Sequence, residues 1–161
     1  MKPKALLSWS SGKDCVWALH LLRQHGEVEV VGLVTTFNEA FQRVAMRAGT
    51  GLEPLFPIWG TPADTPHLAR SMIASGLRAT LTCVDPKQLT PEFVGREFDH
   101  SLLADLPPDV DPCGERGEFH TFCHAGPMFD SPIPVSVGET VERDGFWFVN
   151  LLHGKMRGDD I

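Results

Sequence analysis

Residues 5–15 read ALLSWSSGKDC. The apolar start of this stretch, residues 5–9, predicts a short buried strand that runs into a loop of small polar residues. The apolar residues that follow the loop are spaced i, i+3, i+4 and i+7, namely Cys15, Ala18, Leu19 and Leu22. This spacing predicts a helix over residues 13–25, and Gly26 is a typical helix end.

A second strand is predicted over residues 28–37, where apolar side chains are nearly continuous. Strands of this kind are typical of parallel sheets that are buried on both faces. Strand, helix and strand together predict a right-handed βαβ unit. We therefore expect an α/β, Rossmann-like fold, with a parallel sheet and flanking helices.

The remaining sequence predicts further elements of both kinds. Asn38 can cap a helix that ends before Gly49, and a second helix is predicted over residues 66–75. Residues 79–84 suit a third parallel strand, residues 91–106 an amphipathic helix, and residues 106–127 a loop. Apolar alternation on both sides of Asp144-Gly145 predicts a hairpin, and hence a small C-terminal β part.

Length and charge limit the class of protein. The 161 residues suit a single domain over residues 1–161, and the net charge of −7 argues against general binding to nucleic acid or to a membrane surface. No segment is apolar over the length needed to span a bilayer. The four cysteines are widely spaced and no signal peptide is recognised at the start. We expect a cytoplasmic protein with reduced thiols.

The loop between the first strand and the first helix predicts a phosphate site. Backbone N–H groups at a helix N-terminus attract anions, and the Ser10 and Ser11 hydroxyls can add donors. Lys13 brings a full positive charge, and Asp14 can hold Mg²⁺ or order the loop. The loop is not a Walker A motif, because Leu7 stands where that motif needs glycine. The alternative is a glycine turn before a capped helix.

A second group of reactive residues lies in residues 111–122, which read DPCGERGEFHTF. Glu115 and Glu118 can position an amine or a metal, and His120 can move a proton near neutral pH. The alternatives are a solvated polar loop and a structural zinc site. The zinc ligands would be Cys113, His120, Cys123 and His124, whose spacing matches no usual pattern.

Both stretches resemble one group of enzymes. The sequence SSGKDC at residues 10–15 resembles the S-G-G-K-D-S loop of the N-type ATP pyrophosphatases, in the adenine-nucleotide alpha-hydrolase superfamily. CGERGEFHTF, followed by GPMF at residues 126–129, resembles the signature of the diphthine–ammonia ligase family of these enzymes. VTTF, LFPIWG and VGR, at residues 34–37, 55–60 and 94–96, follow in the family's order. The resemblance covers most of residues 4–46 and 52–137.

The resemblance implies an amide-forming ligase with ATP and Mg²⁺. In that family ATP adenylates the carboxylate of diphthine on translation elongation factor 2, and ammonia then displaces AMP. Asp14 would hold the metal, and Arg116 replaces a smaller neutral residue. The nucleotide would be bound by Ser8, Ser10, Ser11, Gly12, Lys13, Asp14, Cys15, Thr35 and Thr36. The catalytic residues would be Lys13, Asp14, Glu115, Glu118, His120 and Thr121, the last four facing the acyl acceptor or ammonia.

The chain departs from the family after Met46. Family members carry a helix, a strand, a second helix and a further strand there, whereas this chain passes to the segment that starts at Leu52. It therefore divides into a phosphate-loop part (1–46), a family C-terminal part (52–137) and a β tail (138–161). A shortened sheet leaves apolar edges, which favours association into a homo-oligomer and weak or absent turnover. The second functional hypothesis is a degenerate nucleotide-binding or interaction module without catalysis.

Overall fold

The computed structural model describes residues 2–10, 12–34, 58, 61 and 63–154. Two compact units are found, Met1–Trp59 and Gly60–Ile161. The division of the chain into functional parts stays a prediction. The helix predicted after Asn38 lies outside the described residues.

The first unit contains the predicted strand, helix and strand. They are β1 (Lys4–Ser8), α1 (Lys13–His25) and β2 (Glu29–Val34), and β1 pairs with β2 in parallel. The α1 helix ends as expected, because Gly26 adopts a φ of 68° and donates its N–H to the Leu22 carbonyl at 3.0 Å. The predicted βαβ start of an α/β fold is confirmed.

The sheet of the first unit is less buried than we expected. Leu6, Val31 and Leu33 expose 62%, 50% and 51% of their surface. The prediction that the sheet is buried on both faces is therefore wrong for these side chains. In the described part of the first unit, α1 is the one helix beside this two-stranded sheet, and one helix covers one face only.

The second unit is built on an antiparallel sheet. Its helices are α2 (Thr65–Ala74) and α3 (His100–Asp105), with a 3₁₀ turn at Pro91–Phe93. Its strands are β3 (Arg78–Val84), β4 (Phe119–Ala125), β5 (Val135–Arg143) and β6 (Phe146–His153), in the spatial order β4-β3-β6-β5. The predicted α2 helix is confirmed. The predicted hairpin is confirmed as well, since Asp144 and Gly145 both have positive φ, 53° and 80°.

The third predicted strand forms, but not in the parallel sheet. β3 pairs antiparallel with β4 and with β6. Its apolar sequence predicts a buried strand correctly, yet burial says nothing about the partner. The expectation of a third parallel strand at residues 79–84 is wrong.

The helix predicted over residues 91–106 is wrong as one continuous helix, because only the 3₁₀ turn at Pro91–Phe93 and α3 (His100–Asp105) are helical. Gly95 has a φ of 84°, which breaks a helix, and its N–H donates to the Leu81 carbonyl at 2.8 Å. Phe98 likewise donates to Ala79 on β3. A helix begins only after Asp99, whose carboxylate accepts the Leu102 N–H at 2.8 Å. Gly95, Arg96 and Phe98 hydrogen-bond to β3 through their backbone groups, which a continuous helix would not allow.

The predicted loop over residues 106–127 contains β4. The loop interpretation is therefore wrong from Phe119 to Ala125, which lie beside β3. Polar His120 and Thr121 conceal a strand in which Phe119, Cys123 and Ala125 are buried.

The second unit has its own core. Buried apolar side chains come from α2, β3, α3, β4 and β6, and they include Met72, Leu81, Val84, Leu102, Phe119 and Val149. Within the described part of the chain, no helix has the length and apolar character needed to cross a membrane.

Candidate functional site

Cys15 hydrogen-bonds to Ser10 and Gly12, two described residues of the loop before α1. Gly12 is extended (φ −78°, ψ 168°) and occupies the N-cap position of α1. The Cys15 Sγ donates to the Gly12 carbonyl at 3.1 Å and accepts the Ser10 N–H at 3.4 Å. The Gly12 N–H donates to the Ser10 hydroxyl at 3.4 Å. Cys15 therefore holds the loop at the position where the resembling enzymes carry serine.

Lys13 and Asp14 form an ion pair at the start of α1. The Lys13 Nζ lies 2.9 Å and 2.7 Å from the two Asp14 carboxylate oxygens. The Lys13 side chain is 3% exposed, whereas that of Asp14 is 46% exposed. A phosphate that approaches Lys13 competes with Asp14 for its protons. A Mg²⁺ ion on the accessible Asp14 oxygens would remove this competition, and a single carboxylate with phosphate oxygens suits Mg²⁺.

The other predicted nucleotide residues are only partly described. Ser8 ends β1 and pairs with Val34 at the end of β2. Ser11, Thr35 and Thr36 lie outside the described residues, so their predicted roles stay predictions.

Glu118 is the centre of the second loop. Its side chain is fully buried, at 0% exposure. Oε1 accepts the Asp111 N–H at 2.9 Å, and Oε2 accepts the Arg116 N–H at 2.8 Å. The Arg116 guanidinium also lies 3.3 Å from Oε1. These contacts give Glu118 a structural role in its own loop, while its predicted role toward the acceptor remains untested.

Asp111 connects this loop to α2, and the sequence analysis did not single it out. It is 5% exposed, accepts the Thr65 hydroxyl at 2.9 Å and accepts the Cys113 N–H at 2.8 Å. The Cys113 thiol lies 3.5 Å from the Thr65 carbonyl. The Asp-Pro sequence at residues 111–112 signals the turn. The link to Thr65, 46 residues away, has no signal in the sequence.

Two glycines shape the loop. Gly114 has a φ of 70°, and a Cβ there would lie 2.9 Å from the Phe119 carbonyl oxygen. Gly117 has a φ of 82° and open space around it. Gly114 is therefore required for both conformation and space, and Gly117 for conformation alone.

The remaining predicted acceptor residues lie near the surface. Glu115 and His120 are exposed and Thr121 is half-buried. His120 and Thr121 stand on β4, while Glu115 lies in the turn before it. The loop therefore has two buried carboxylates, those of Asp111 and Glu118, while Glu115 and His120 are accessible to solvent.

The zinc hypothesis finds no support in the described residues. All four proposed ligands belong to that set, and nowhere in it do three or more His, Cys, Asp or Glu side chains converge as a metal site. None of the four cysteines, each of which is described, forms a disulfide.

Two titrating groups lie beside the loop. The Asp85 N–H donates to the Glu118 carbonyl at 2.9 Å. The pKa of Asp85 is lowered, first by the Lys87 N–H at 2.9 Å and then by the Gln88 side chain at 3.2 Å. The pKa of the Cys83 thiol is raised by burial and secondarily by the charge of Asp85.

The described residues define an α/β protein, with a parallel two-stranded sheet and an antiparallel four-stranded sheet. A sequence model described as diphthamide synthase C-terminal domain matches residues 64–156. The chain belongs to this family.

Curated relatives carry related names. The chain is 27% identical over 154 residues to the diphthine–ammonia ligase of Rattus norvegicus, covering 91% of this chain and 57% of the relative. It is 28% identical over 137 residues to that of Homo sapiens, covering 80% and 50%. For Schizosaccharomyces pombe the values are 29% over 131 residues, covering 76% and 21%. The chain spans about half the length of the two mammalian relatives.

Proposed function

We propose that this chain is an ATP-dependent amide-forming ligase of the diphthine–ammonia ligase type. The proposal rests on the position of Lys13, a buried cation at the start of α1 whose Nζ forms an ion pair with Asp14. Family membership and the names of the relatives support the reaction class. In this proposal the protein acts in the cytoplasm, where elongation factor 2 is found.

Lys13 and Asp14 have different roles toward the nucleotide in this proposal. The Lys13 charge and the N–H groups at the start of α1 bind phosphate oxygens. Asp14 would hold Mg²⁺, which neutralises charge that develops on the phosphates. Ser8 at the end of β1 and Ser10, Ser11, Gly12 and Cys15 are proposed to bind the nucleotide with them, and Thr35 and Thr36 are proposed for the adenosine side.

The reaction proceeds in two substitutions. A carboxylate oxygen of diphthine attacks the α-phosphorus of ATP, so that an acyl-adenylate forms and pyrophosphate leaves. Ammonia then attacks the acyl carbon, an amide forms, AMP leaves and the ammonia nitrogen loses a proton. Exposed His120 is proposed to take that proton, with Glu115 and Thr121 orienting the amine.

The test is formation of AMP from ATP in the presence of diphthine-modified elongation factor 2 and ammonium. Each reagent is omitted in turn. AMP and amide in equal amounts, only when all are present, support the ligase. AMP without amide contradicts it, and so does amide formation that continues in Lys13→Ala.

A second candidate is a nucleotide-binding or interaction module without catalysis. It is favoured by the departure of the sequence from the family pattern after Met46. The exposed apolar side chains of β1 and β2 agree with it, because they favour association into a homo-oligomer. This candidate would be supported if the chain binds ATP without forming AMP and forms a stable complex with a partner.

A further inference from the structure

Arg116 is engaged by its own loop. Its Nη2 donates to the Asp109 carbonyl at 2.8 Å, and its Nε lies 3.3 Å from the Glu118 Oε1. The arginine side chain is 63% exposed and that of Glu118 is fully buried. The guanidinium therefore covers the buried carboxylate from the solvent side and holds two points of the loop together.

The buried carboxylate needs this partner. An ionised group out of water is stable only when hydrogen bonds and opposite charge compensate for its lost hydration. Two backbone N–H groups bind Glu118, those of Asp111 and Arg116. They supply dipoles, whereas the Arg116 side chain supplies full charge. Removal of that charge should weaken the hydrogen bonds by which the Glu118 carboxylate binds the Asp111 and Arg116 N–H groups.

The turn is tied to α2 through a second carboxylate. Asp111 accepts the Thr65 hydroxyl, and its own N–H donates to Glu118. The path from Arg116 through Glu118 and Asp111 therefore reaches the first residue of α2. Between the two N–H donors to Glu118 lies the segment 111–116, which includes Glu115.

We propose that Arg116 is a positioning residue: it acts through Glu118 to hold the 111–118 turn in place, and it does not bind substrate. This inference rests on the proposed function in so far as the turn serves the amidation. Without that function it still describes how the turn is held.

A double-mutant cycle tests the coupling in the full chain. Arg116→Gln, Glu118→Gln and the double variant are compared by amide hydrogen exchange, with Arg143→Gln on β5 as the matched loss of an exposed arginine. We expect Arg116→Gln to speed exchange of the Asp111 amide by about tenfold, the scale of one charge-assisted hydrogen bond. In the Glu118→Gln background the same change should have little further effect. Unchanged exchange in Arg116→Gln, or additive effects, would overturn the proposal.

Kinetics separate positioning from substrate contact. With ATP, ammonium and diphthine-modified elongation factor 2, Arg116→Gln should lower kcat by about tenfold and leave the KM for each substrate unchanged. Arg116→Lys keeps the charge and should recover part of that loss. A raised KM for the elongation factor, additive with Glu118→Gln, would show direct contact and overturn the proposal.

The two proposals fail in different ways. If neither the variants nor the unsubstituted chain form AMP, the ligase proposal fails. Hydrogen exchange then still shows whether Arg116 and Glu118 hold the turn. If Glu118→Gln does not fold, the comparison of Arg116→Gln with Arg116→Lys decides it instead. Equal exchange at Asp111 in those two variants would then contradict a role for the arginine charge.

Discussion

The Nζ atom of Lys13 lies 2.9 Å and 2.7 Å from the two carboxylate oxygens of Asp14, its neighbour in sequence. The cation is buried and the anion is half-exposed. In the proposed function a phosphate therefore meets a neutralised pair. The proposal makes phosphate affinity depend on Lys13 directly and on Asp14 through Mg²⁺.

Lys13→Ala should weaken ATP binding by about 1.5–3 kcal/mol, the usual scale for a charge-assisted hydrogen bond. Titration calorimetry with Mg²⁺ and ATP measures the loss. Lys87→Ala, which removes an exposed lysine from the second unit, is the matched control and should bind ATP as the natural chain does. Equal affinity in Lys13→Ala and Lys87→Ala would place the phosphates elsewhere.

Glu118 and His120 should respond differently to substitution. Glu118→Gln leaves one of two backbone donors without a carboxylate oxygen, so unfolding should become easier by about 1–3 kcal/mol. His120→Ala changes an exposed side chain and should alter stability by less than about 0.5 kcal/mol. Both should slow AMP formation and leave ATP affinity nearly unchanged.

Thermal unfolding and AMP release measure these two effects. Glu139→Gln on β5 removes an exposed carboxylate and serves as the control for charge. A His120→Ala chain that forms AMP at the natural rate would remove His120 from the reaction. Loss of ATP binding in both variants would mean that they serve the nucleotide or the fold.

The sequence predicts elements whose signals are local. The helix over residues 13–25 and its Gly26 end agree with Lys13–His25, and Asp144-Gly145 forms the predicted turn. Patterns that depend on a distant partner fail. Residues 91–106 show helical spacing, but Gly95 and Phe98 hydrogen-bond to β3 instead.

The site follows the same division. The loop at residues 10–15 is contiguous, so the residue types that predict phosphate binding are visible in the sequence. In the second loop the reactive residue types are visible, but the frame that holds them is not. Thr65 and Asp111 are 46 residues apart, and the burial of Glu118 comes from tertiary packing. A carboxylate in a glycine-rich stretch is equally compatible with a solvated loop.

Acid should remove a stabilising contribution of Asp85. Its pKa is lowered by the Lys87 N–H and the Gln88 side chain, so the folded state favours the ionised form. The contribution is present above the unfolded pKa of about 3.9 and is lost as pH falls through the lower folded value. Asp85→Asn should therefore lower Tm at pH 7 and have a smaller effect near pH 2. An equal difference in Tm at both pH values would contradict this assignment.

Insertion of a family-like block between Met46 and Leu52 should raise Tm and the rate of AMP formation. Leu6, Val31 and Leu33 expose half or more of their surface. Covering even a few hundred Å² of apolar surface contributes several kcal/mol at about 25 cal/mol per Å². Without the block, sedimentation should show that the chain associates, or thermal unfolding should show that it is marginally stable. A stable monomer with turnover equal to that of the extended chain would show that the block is dispensable.

Whether the chain is a ligase is decided by AMP formation that depends on the acceptor. The chain, ATP, Mg²⁺, ammonium and diphthine-modified elongation factor 2 are incubated, and AMP and amide are quantified together. We predict slow formation of both in equal amounts, lost when the acceptor is omitted and lost in Lys13→Ala. AMP and amide no higher than in Lys13→Ala, from a chain that calorimetry shows to bind ATP, would contradict the ligase and favour the module without catalysis.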